Sequence, residues 1–230
     1  MLFRSARKAE GFVDFVHLHN HTHYSLLDGL QKVPQMIDRA EELGMTAVAI
    51  TDHGTLGGAI EFYKAAKAKG IKPIVGMEAY VSPRKHTDKS SAEDRNPYHL
   101  TLLAKNMAGY KNLMKLSTVA SLEGFYYKPR IDHELLEKHS EGLIALSGCL
   151  GGELGTFISN DQYEQALDTA KWYMDTLGKE NYYLELQPHV DWAPQKKLNA
   201  GIKKIAKELG LGMVVTGDCH YSTEADHYPH

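Results

Sequence analysis

The histidines of this sequence are concentrated in short segments that also carry other residue types able to bind metal ions. Thirteen of the 230 residues are histidine, and seven of these fall in HLHNHTH (17–23), TDHG (51–54), PYHL (97–100) and GDCH (217–220). Imidazole nitrogen, carboxylate oxygen and a thiolate together suit zinc, with manganese or iron as alternatives. One zinc ion takes about four ligands. Because these segments and their neighbours offer more than seven candidates, we expect two or three divalent metal ions.

The elements that must position these residues are short apolar strands alternating with amphipathic segments of helical period. Strands are predicted over FVHLHNH (15–21), AVAITD (47–52), PIVGMEAYV (73–81), HLTLLAK (99–105), GLIALSGC (142–149), YYLELQP (182–188) and MVVTGDCH (213–220). Helices are predicted near 33–43, 58–70, 109–122, 162–177 and 193–209. Several strands are apolar throughout, which is typical of a parallel sheet buried on both faces. The pattern favours an α/β fold, a TIM-like barrel of seven strands, in one domain over residues 1–230.

In barrels of this kind the functional groups lie at the carboxyl ends of the strands. Five predicted strand ends carry metal-binding side chains, namely His19 and His21, Asp52 and His53, Glu78, Cys149, and Asp218 and His220. Residues i and i+2 of a strand point to the same face. His19 and His21 can therefore bind one metal ion together, as can Asp218 and His220. Cys219 then points the opposite way, and we expect it to pack in the interior.

Two other histidines and one polar stretch have less direct interpretations. His17 shares the parity of His19 and His21 but lies about 6–7 Å deeper along the strand, so we expect it below the site. His23 lies beyond the strand, and we expect it at the mouth. The polar stretch 82–96 contains KHTDKSSAEDRN, which is typical of a mobile surface loop.

The bulk properties exclude several classes of protein. Hydrophobic residues make up 43% of the chain and charged residues 24%, which is ordinary for a globular protein. No apolar run approaches the roughly 18 residues of a membrane span, so we expect no membrane partner and a cytoplasmic location. The two cysteines, Cys149 and Cys219, cannot form a disulfide framework. The net charge of −3 provides no overall basic field, so binding to nucleic acid would require local patches.

A set of motifs in order along the chain resembles a known family. The motifs are HNHTHYSLLDG (19–29), TDHG (51–54), GMEAY (76–80), HLTLLAK (99–105), EGFYYKPRID (123–132), LIALSGCLGGE (143–153) and GDCHY (217–221). Together they resemble the PHP (polymerase and histidinol phosphatase) domain. YSLLDG and EGFYYKPRID are similar to the form found at the N-terminus of bacterial DNA polymerase III alpha subunits, so the chain would be part of a longer polymerase.

The resemblance implies a distorted (β/α)7 barrel with a trinuclear metal site of nine ligands. Carried over residue by residue, the ligands are His19, His21, Asp28, His53, Glu78, His99, Cys149, Asp218 and His220. Asp28 enters only through the resemblance, because by itself it is a turn or cap residue ahead of Gly29. His99 begins its predicted strand, whereas the other strand residues of the set end theirs. The attacking group would be a metal-bound water, with no separate catalytic residue assigned.

The implied activity is 3′–5′ exonuclease action in proofreading, on the 3′ end of single-stranded DNA. Lys128 and Arg130, beside Tyr126 and Tyr127, combine cations with aromatic rings and are candidates for substrate binding. The remaining polymerase domains and replisome subunits would be partners. Two alternatives stay open, a free-standing phosphatase acting on small phosphate esters and a non-catalytic, metal-stabilised scaffold for the polymerase.

Overall fold

The computed structural model describes residues 15–90, 92–189 and 191–228. The strands are β1 (Ala47–Ile50), β2 (Lys72–Val81), β3 (Tyr98–Ala104), β4 (Arg130–Ile131), β5 (Leu143–Leu146), β6 (Tyr182–Leu186) and β7 (Gly212–Val215). The α-helices are α1 (Val33–Glu42), α2 (Ala59–Ala68), α3 (Met107–Leu122), α4 (His133–Lys138), α5 (Glu153–Ser159), α6 (Tyr163–Leu177) and α7 (Ala193–Leu209). Strands and helices alternate along most of the chain, which confirms the predicted α/β fold.

The strands form one curled sheet in the order β1-β2-β3-β5-β6-β7, with β4 paired to β2 outside this path. The segment 17–21 connects the two edges of the sheet. On one side Thr51 N donates to Asn20 O (2.9 Å), and on the other His21 N donates to Cys219 O (2.8 Å). The residues that follow β1 and β7 are thereby joined at the carboxyl end of the sheet, which gives a distorted barrel.

The prediction of a regular strand over 15–21 is wrong. Within it a single bridge joins Asn20 to Cys219. The amide Nδ2 of Asn20 donates to the backbone oxygens of His17 (3.1 Å) and Ala49 (2.9 Å), and Asn20 N donates to Oγ1 of Thr51 (2.9 Å). Because polar side chains take over bonds that a backbone ladder would make, the segment joins its neighbours without continuous pairing. The seventh strand is instead β4, which the sequence pattern did not predict.

The sheet is not wholly parallel, contrary to the prediction. β3 runs antiparallel to both β2 and β5, whereas the β1–β2, β5–β6 and β6–β7 pairs are parallel. No α-helix of the described residues lies between β2 and β3. The chain therefore returns along the sheet, and the start of β3, not its end, lies at the rim with the carboxyl ends of the parallel strands.

The predicted helices are confirmed by α1, α2, α3, α6 and α7, and the short α4 and α5 were not predicted. Capping residues define several helix ends. The side chain of Asn106 caps α3 by accepting from the backbone N–H of Gly109, and Asp132 caps α4 by accepting from that of Leu135. Gly210 ends α7 with φ +63°. The larger apolar core packs α3, α5, α6 and α7 against the sheet. Within the described residues, none of these helices has the length and apolar character needed to cross a bilayer.

The polar stretch between β2 and β3 is anchored to the fold. Asp94 is fully buried and accepts hydrogen bonds from Nε (3.1 Å) and Nη2 (2.6 Å) of Arg84. Asp132 accepts from the backbone N–H of His86 (2.8 Å) and contacts its Nδ1 (2.6 Å). For residues 82–90 and 92–96 this bonding contradicts the expected mobile loop.

Candidate metal centre

Glu78 of β2 is the centre of the cluster at the carboxyl rim. Its side chain is buried, and its two oxygens lie among four imidazoles. Oε1 is 3.2 Å from Nε2 of His19 and 3.0 Å from Nδ1 of His99. Oε2 is 3.4 Å from Nε2 of His21 and 2.6 Å from Nδ1 of His53. Burial by itself raises the pKa of the Glu78 carboxyl, but the surrounding imidazoles, His19 foremost, outweigh burial and hold the pKa well below its usual range.

Six of the nine expected ligands form three overlapping groups. Within each group the potential ligand atoms lie within 4.8 Å of one another. The groups are His19, His21 and Glu78; His21, His53 and His220; and His53, Glu78 and His99. Because Glu78, His21 and His53 each belong to two groups, ions bound in neighbouring groups would share ligands. This arrangement fits a multinuclear centre better than one isolated ion.

Buried polar atoms without a well-formed hydrogen bond provide an independent test of whether the site suits metal. Among the described residues, Nε2 of His19, Nε2 of His21, Nδ1 of His53, Oε2 of Glu78 and Oδ1 of Asp218 are such atoms. They face one another in imidazole–carboxylate contacts of 2.6–3.4 Å. Buried polar groups need partners of good geometry, and divalent cations among these five atoms would satisfy all of them.

Asp218 completes the cluster from the chain segment after β7. Its Oδ1 lies 3.4 Å from Nε2 of His19 and 3.2 Å from Nε2 of His21. Its backbone has φ +48°, a left-handed conformation that aspartate tolerates better than most residues. Burial by itself raises the pKa of Asp218, but the charge on His19 and the contact with His21 together outweigh burial and lower the pKa. The carboxylate therefore stays ionised and available as a ligand.

The last two expected ligands lie at the edges of the cluster. Oδ2 of Asp28 is 3.1 Å from Nε2 of His53 and 3.8 Å from Nε2 of His220. Sγ of Cys149 is 3.9 Å from Nδ1 of His99. His99 reaches this place because β3 is antiparallel, which explains why a residue that begins its strand lies beside residues that end theirs.

The acidic surroundings raise the pKa of two histidines of the cluster. Burial by itself lowers the pKa of His19, but Asp218, Glu185 and Glu78 together raise it well above its usual value. Burial likewise lowers the pKa of His53, and the carboxylates of Asp28 and Glu78 reverse this and raise it to about 9. Protons on these imidazoles offset the buried negative charge, and metal ions that bind there would have to displace them.

Glu185 of β6 contacts the candidate site, and the sequence reasoning missed it. It is buried, and its Oε1 is 2.8 Å from Nδ1 of His19. The same oxygen accepts a hydrogen bond from Oγ1 of Thr216. A carboxylate in this position orients the imidazole and leaves Nε2 directed at Glu78 and Asp218. The available signal was a charged residue inside the otherwise apolar strand YYLEL (182–186).

Asp52 follows β1 at the rim but anchors a turn and belongs to none of the three groups. Its carboxylate accepts from Thr22 N (2.6 Å), Thr22 Oγ1 (2.9 Å) and Ser25 Oγ (2.8 Å). Ser25 Oγ also lies 3.0 Å from Nδ1 of His21 and accepts from His53 N (3.1 Å). Asp52 therefore positions His21 and His53 through the hydroxyl of Ser25.

The two flanking histidines lie outside the three groups. His17 is buried, with Nδ1 3.6 Å from Sγ of Cys219, and burial lowers its pKa to about 4. His23 is half-buried and packs its ring against Tyr24 at 4.4 Å between centroids. Cys219 is buried, as predicted, although it lies after the end of β7 and follows a left-handed residue. The cluster therefore uses the second and third histidines of HLHNHTH.

Arg130 and Lys128, the two expected substrate-binding residues, have different environments. Arg130 is 0% exposed, and its guanidinium donates hydrogen bonds to four backbone oxygens. These belong to Gly124 (3.0 Å), Asp94 (2.9 Å), His86 (2.8 Å) and Asp88 (2.7 Å). This burial contradicts a substrate-binding role for Arg130. Lys128 is half-buried, and its Nζ lies 5.3 Å from the centroid of the Tyr80 ring, on the wall of a cavity that also contains His53.

Comparison with known proteins finds relatives that align with most of the chain. DNA polymerase III subunit alpha of Aquifex aeolicus is 46% identical over 223 residues, which cover 94% of this chain and 19% of that protein. The same subunit of Thermus aquaticus is 46% identical over 220 residues, covering 94% of this chain and 18% of that protein. The chain thus spans less than a fifth of the length of these relatives.

Solved structures share the fold at low sequence identity. An amidohydrolase from Chromobacterium violaceum superposes with a TM-score of 0.55 at 17% identity, covering 89% of this chain and 87% of that one. A protein from Bifidobacterium adolescentis, assigned as a metal-dependent phosphoesterase, superposes with a TM-score of 0.52 at 15% identity. The match covers 91% of this chain and 88% of that one. The family model of the PHP domain matches residues 17–189, most of the chain, including seven of the nine expected ligands. This protein is a member of the PHP domain family.

Proposed function

We propose that the chain is the PHP domain of a bacterial DNA polymerase III alpha subunit and acts as a metal-dependent phosphoesterase. Its reaction would be release of nucleotides from the 3′ end of single-stranded DNA. The observation that carries the proposal is the set of three overlapping ligand groups around Glu78. The 46% identity to polymerase subunits over 94% of the chain supports DNA as the substrate in preference to small phosphate esters.

All nine residues are proposed as ligands of two or three ions. Imidazoles, carboxylates and one thiolate favour zinc, with manganese or iron as alternatives. Divalent ions held there supply Lewis acidity, which activates water and neutralises charge on the phosphodiester. Burial raises the pKa of the Cys149 thiol well above its usual value, and the negative charge of Glu78 raises it further. Cys149 would therefore become a ligand only as a cation displaces its proton.

The protein's own residues would bind and orient the substrate. Glu185 and Ser25 hold the rings of His19 and His21 from behind, which fixes their Nε2 atoms toward the substrate side. Lys128 brings a positive charge to the cavity beside His53 and would hold a backbone phosphate. In hydrolysis the water oxygen bonds to phosphorus, the P–O3′ bond breaks, and the departing 3′ oxygen gains a proton. The products are a nucleoside 5′-monophosphate and a strand shortened by one residue.

The partners proposed for this domain follow from the length of its relatives. The aligned region covers 19% and 17% of two of the matched relatives, which are therefore much longer than this chain. The remaining polymerase domains, and through them other replisome subunits, would deliver the 3′ end to the rim. We propose that the domain acts in the cytoplasm, at the replicating chromosome.

The test is digestion of a 5′-labelled single-stranded oligonucleotide by metal-loaded protein. We expect a ladder of products shortened from the 3′ end, dependent on zinc or manganese and abolished by chelator. Asp218→Ala should lose the activity together with metal, whereas His23→Ala should retain both. Equal laddering by Asp218→Ala would indicate a contaminating nuclease. Efficient cleavage of phosphate monoesters with no action on DNA would support the phosphatase alternative, and a metal-loaded protein inert on both would support the scaffold.

A further inference from the structure

Two adjacent leucines are exposed beside the metal centre. Leu26 is 89% exposed and Leu27 is 85% exposed, and they immediately precede Asp28, which contacts His53. Single exposed apolar residues are common on protein surfaces. Two consecutive leucines held next to a cluster of buried charges are not explained by packing within the described fold.

The turn that carries these leucines is firmly held. The N–H groups of Asp28 and Gly29 donate to Ser25 O (3.2 and 2.8 Å), and Ser25 N donates to Thr22 O (2.8 Å). A Cβ atom on Gly29 would lie 1.8 Å from Thr22 O, so this close approach requires glycine. The Tyr24 hydroxyl donates to Glu61 (2.9 Å). The leucines are therefore presented by an anchored turn, and their exposure is a fixed feature of the surface.

The leucines form one wall of a cavity that reaches the metal centre. The cavity has a volume of about 370 Å³, within the range of small-molecule sites. Its lining combines apolar and aromatic side chains with a cation and two expected ligands, and includes Leu26, Leu27, Asp28, His53, Tyr80 and Lys128. The Lys128 ammonium lies over the face of the Tyr80 ring, 5.3 Å from its centroid, and forms no ion pair with the described residues. The charge remains available for a ligand.

We infer that this cavity binds the nucleoside of the terminal nucleotide whose phosphate lies at the metal centre. Leu26 and Leu27 form an apolar platform for the base, and Lys128 binds a backbone phosphate. The inference rests on the proposed function and adds the contact that selects a nucleotide over a simple phosphate ester. Leucine side chains offer no hydrogen-bond donors or acceptors to the base edge, so all four bases should bind with similar affinity, as is usual where contact is made through base faces.

The test measures equilibrium binding and does not depend on turnover. Zinc-loaded protein is titrated with dAMP, dTMP, dCMP, dGMP and inorganic phosphate, followed by NMR or calorimetry. In the double variant Leu26→Ala/Leu27→Ala we expect the Kd of each nucleotide to rise about tenfold, with the Kd of phosphate and the metal content unchanged. Because both side chains are exposed, their truncation should leave folding intact. Met107→Ala is the matched control, since Met107 is 66% exposed and lines a different cavity.

The possible outcomes separate this inference from the proposed function. Nucleotide binding that depends on the leucines, in a protein without nuclease activity, supports the subsite and contradicts exonuclease action. Nuclease activity with unchanged nucleotide binding in the double variant overturns the subsite alone. Failure of the wild type to bind nucleotides more tightly than phosphate also overturns it. Equal weakening of phosphate and nucleotides would mean that the turn positions Asp28 and does not contact the base.

Discussion

Replacement of Arg130 by methionine separates a structural role from a substrate-binding role. The side chain is 0% exposed, and its four hydrogen bonds hold the oxygens of Gly124, Asp94, His86 and Asp88. A hydrogen bond to a charged group contributes about 1.5–3 kcal/mol, and a buried carbonyl left without a partner costs about 1–3 kcal/mol. The full sum is not expected, because methionine recovers apolar contact and removes the cost of burying the guanidinium.

We expect Arg130→Met to lower the free energy of unfolding by about 4 kcal/mol, near the upper end for single substitutions. For a chain of this size that corresponds to a fall in Tm of about 8–16 °C. The assay is urea and thermal unfolding of both proteins, each loaded with zinc. Metal content and oligonucleotide binding at low temperature should stay close to wild type.

Lys128→Met is the matched control, because Lys128 is close in sequence but half-buried and on the cavity wall. It should change stability by no more than about 0.5 kcal/mol and should weaken binding of nucleotide phosphate. The reasoning would be refuted if Arg130→Met kept its stability and lost oligonucleotide affinity, since Arg130 would then contact substrate.

Three further predictions concern the metal centre. A chelator should lower Tm, because ions bound only by the folded state stabilise it by about 2.7 kcal/mol at a hundredfold excess over Kd; an unchanged Tm would contradict this. His21→Ala should lose metal, measured by elemental analysis, whereas His23→Ala should retain it. Equal losses would show that the assignment of His19 and His21 as the ligand pair is wrong. In chelated protein, the contacts of protonated His53 with Asp28 and Glu78 raise the pKa of His53 to about 9. The stability that these contacts contribute is fully present below pH 6.5. That contribution is lost as pH rises through 9, so chelated protein should unfold at lower urea concentrations at pH 9 than at pH 6.5, and a constant midpoint would disprove it.

Several features of the site could be predicted from the sequence because they depend on local geometry. The alternation of side chains along an extended chain placed His19 and His21 on one face. The expectation that rim residues follow strands located His53, and the structure brings it into contact with Glu78 at 2.6 Å. Asp28, in contrast, required the family resemblance, because a turn residue has no periodicity that points to a ligand.

Other features could not be predicted because they arise from contacts between distant parts of the chain. Glu185 and His19 are separated by 166 positions and meet at 2.8 Å, and no local pattern connects them. Arg130 looked like a surface cation beside tyrosines, yet its four acceptors come from a loop and a helix end that pack around it. Burial of a charged group depends on whether such partners exist, which the spacing of residues does not show.

The sequence by itself determined the chemical types of the candidate ligands, the shared face of His19 and His21, and the positions of the longer helices. Those properties follow from covalent geometry and from periodicity within a few residues. Only the tertiary structure decided that β3 runs antiparallel, that His99 therefore lies at the rim, and that Glu78 stands between four imidazoles. Strand direction and the sharing of one carboxylate depend on which segments pair across the fold, and that choice minimises the free energy of the whole chain.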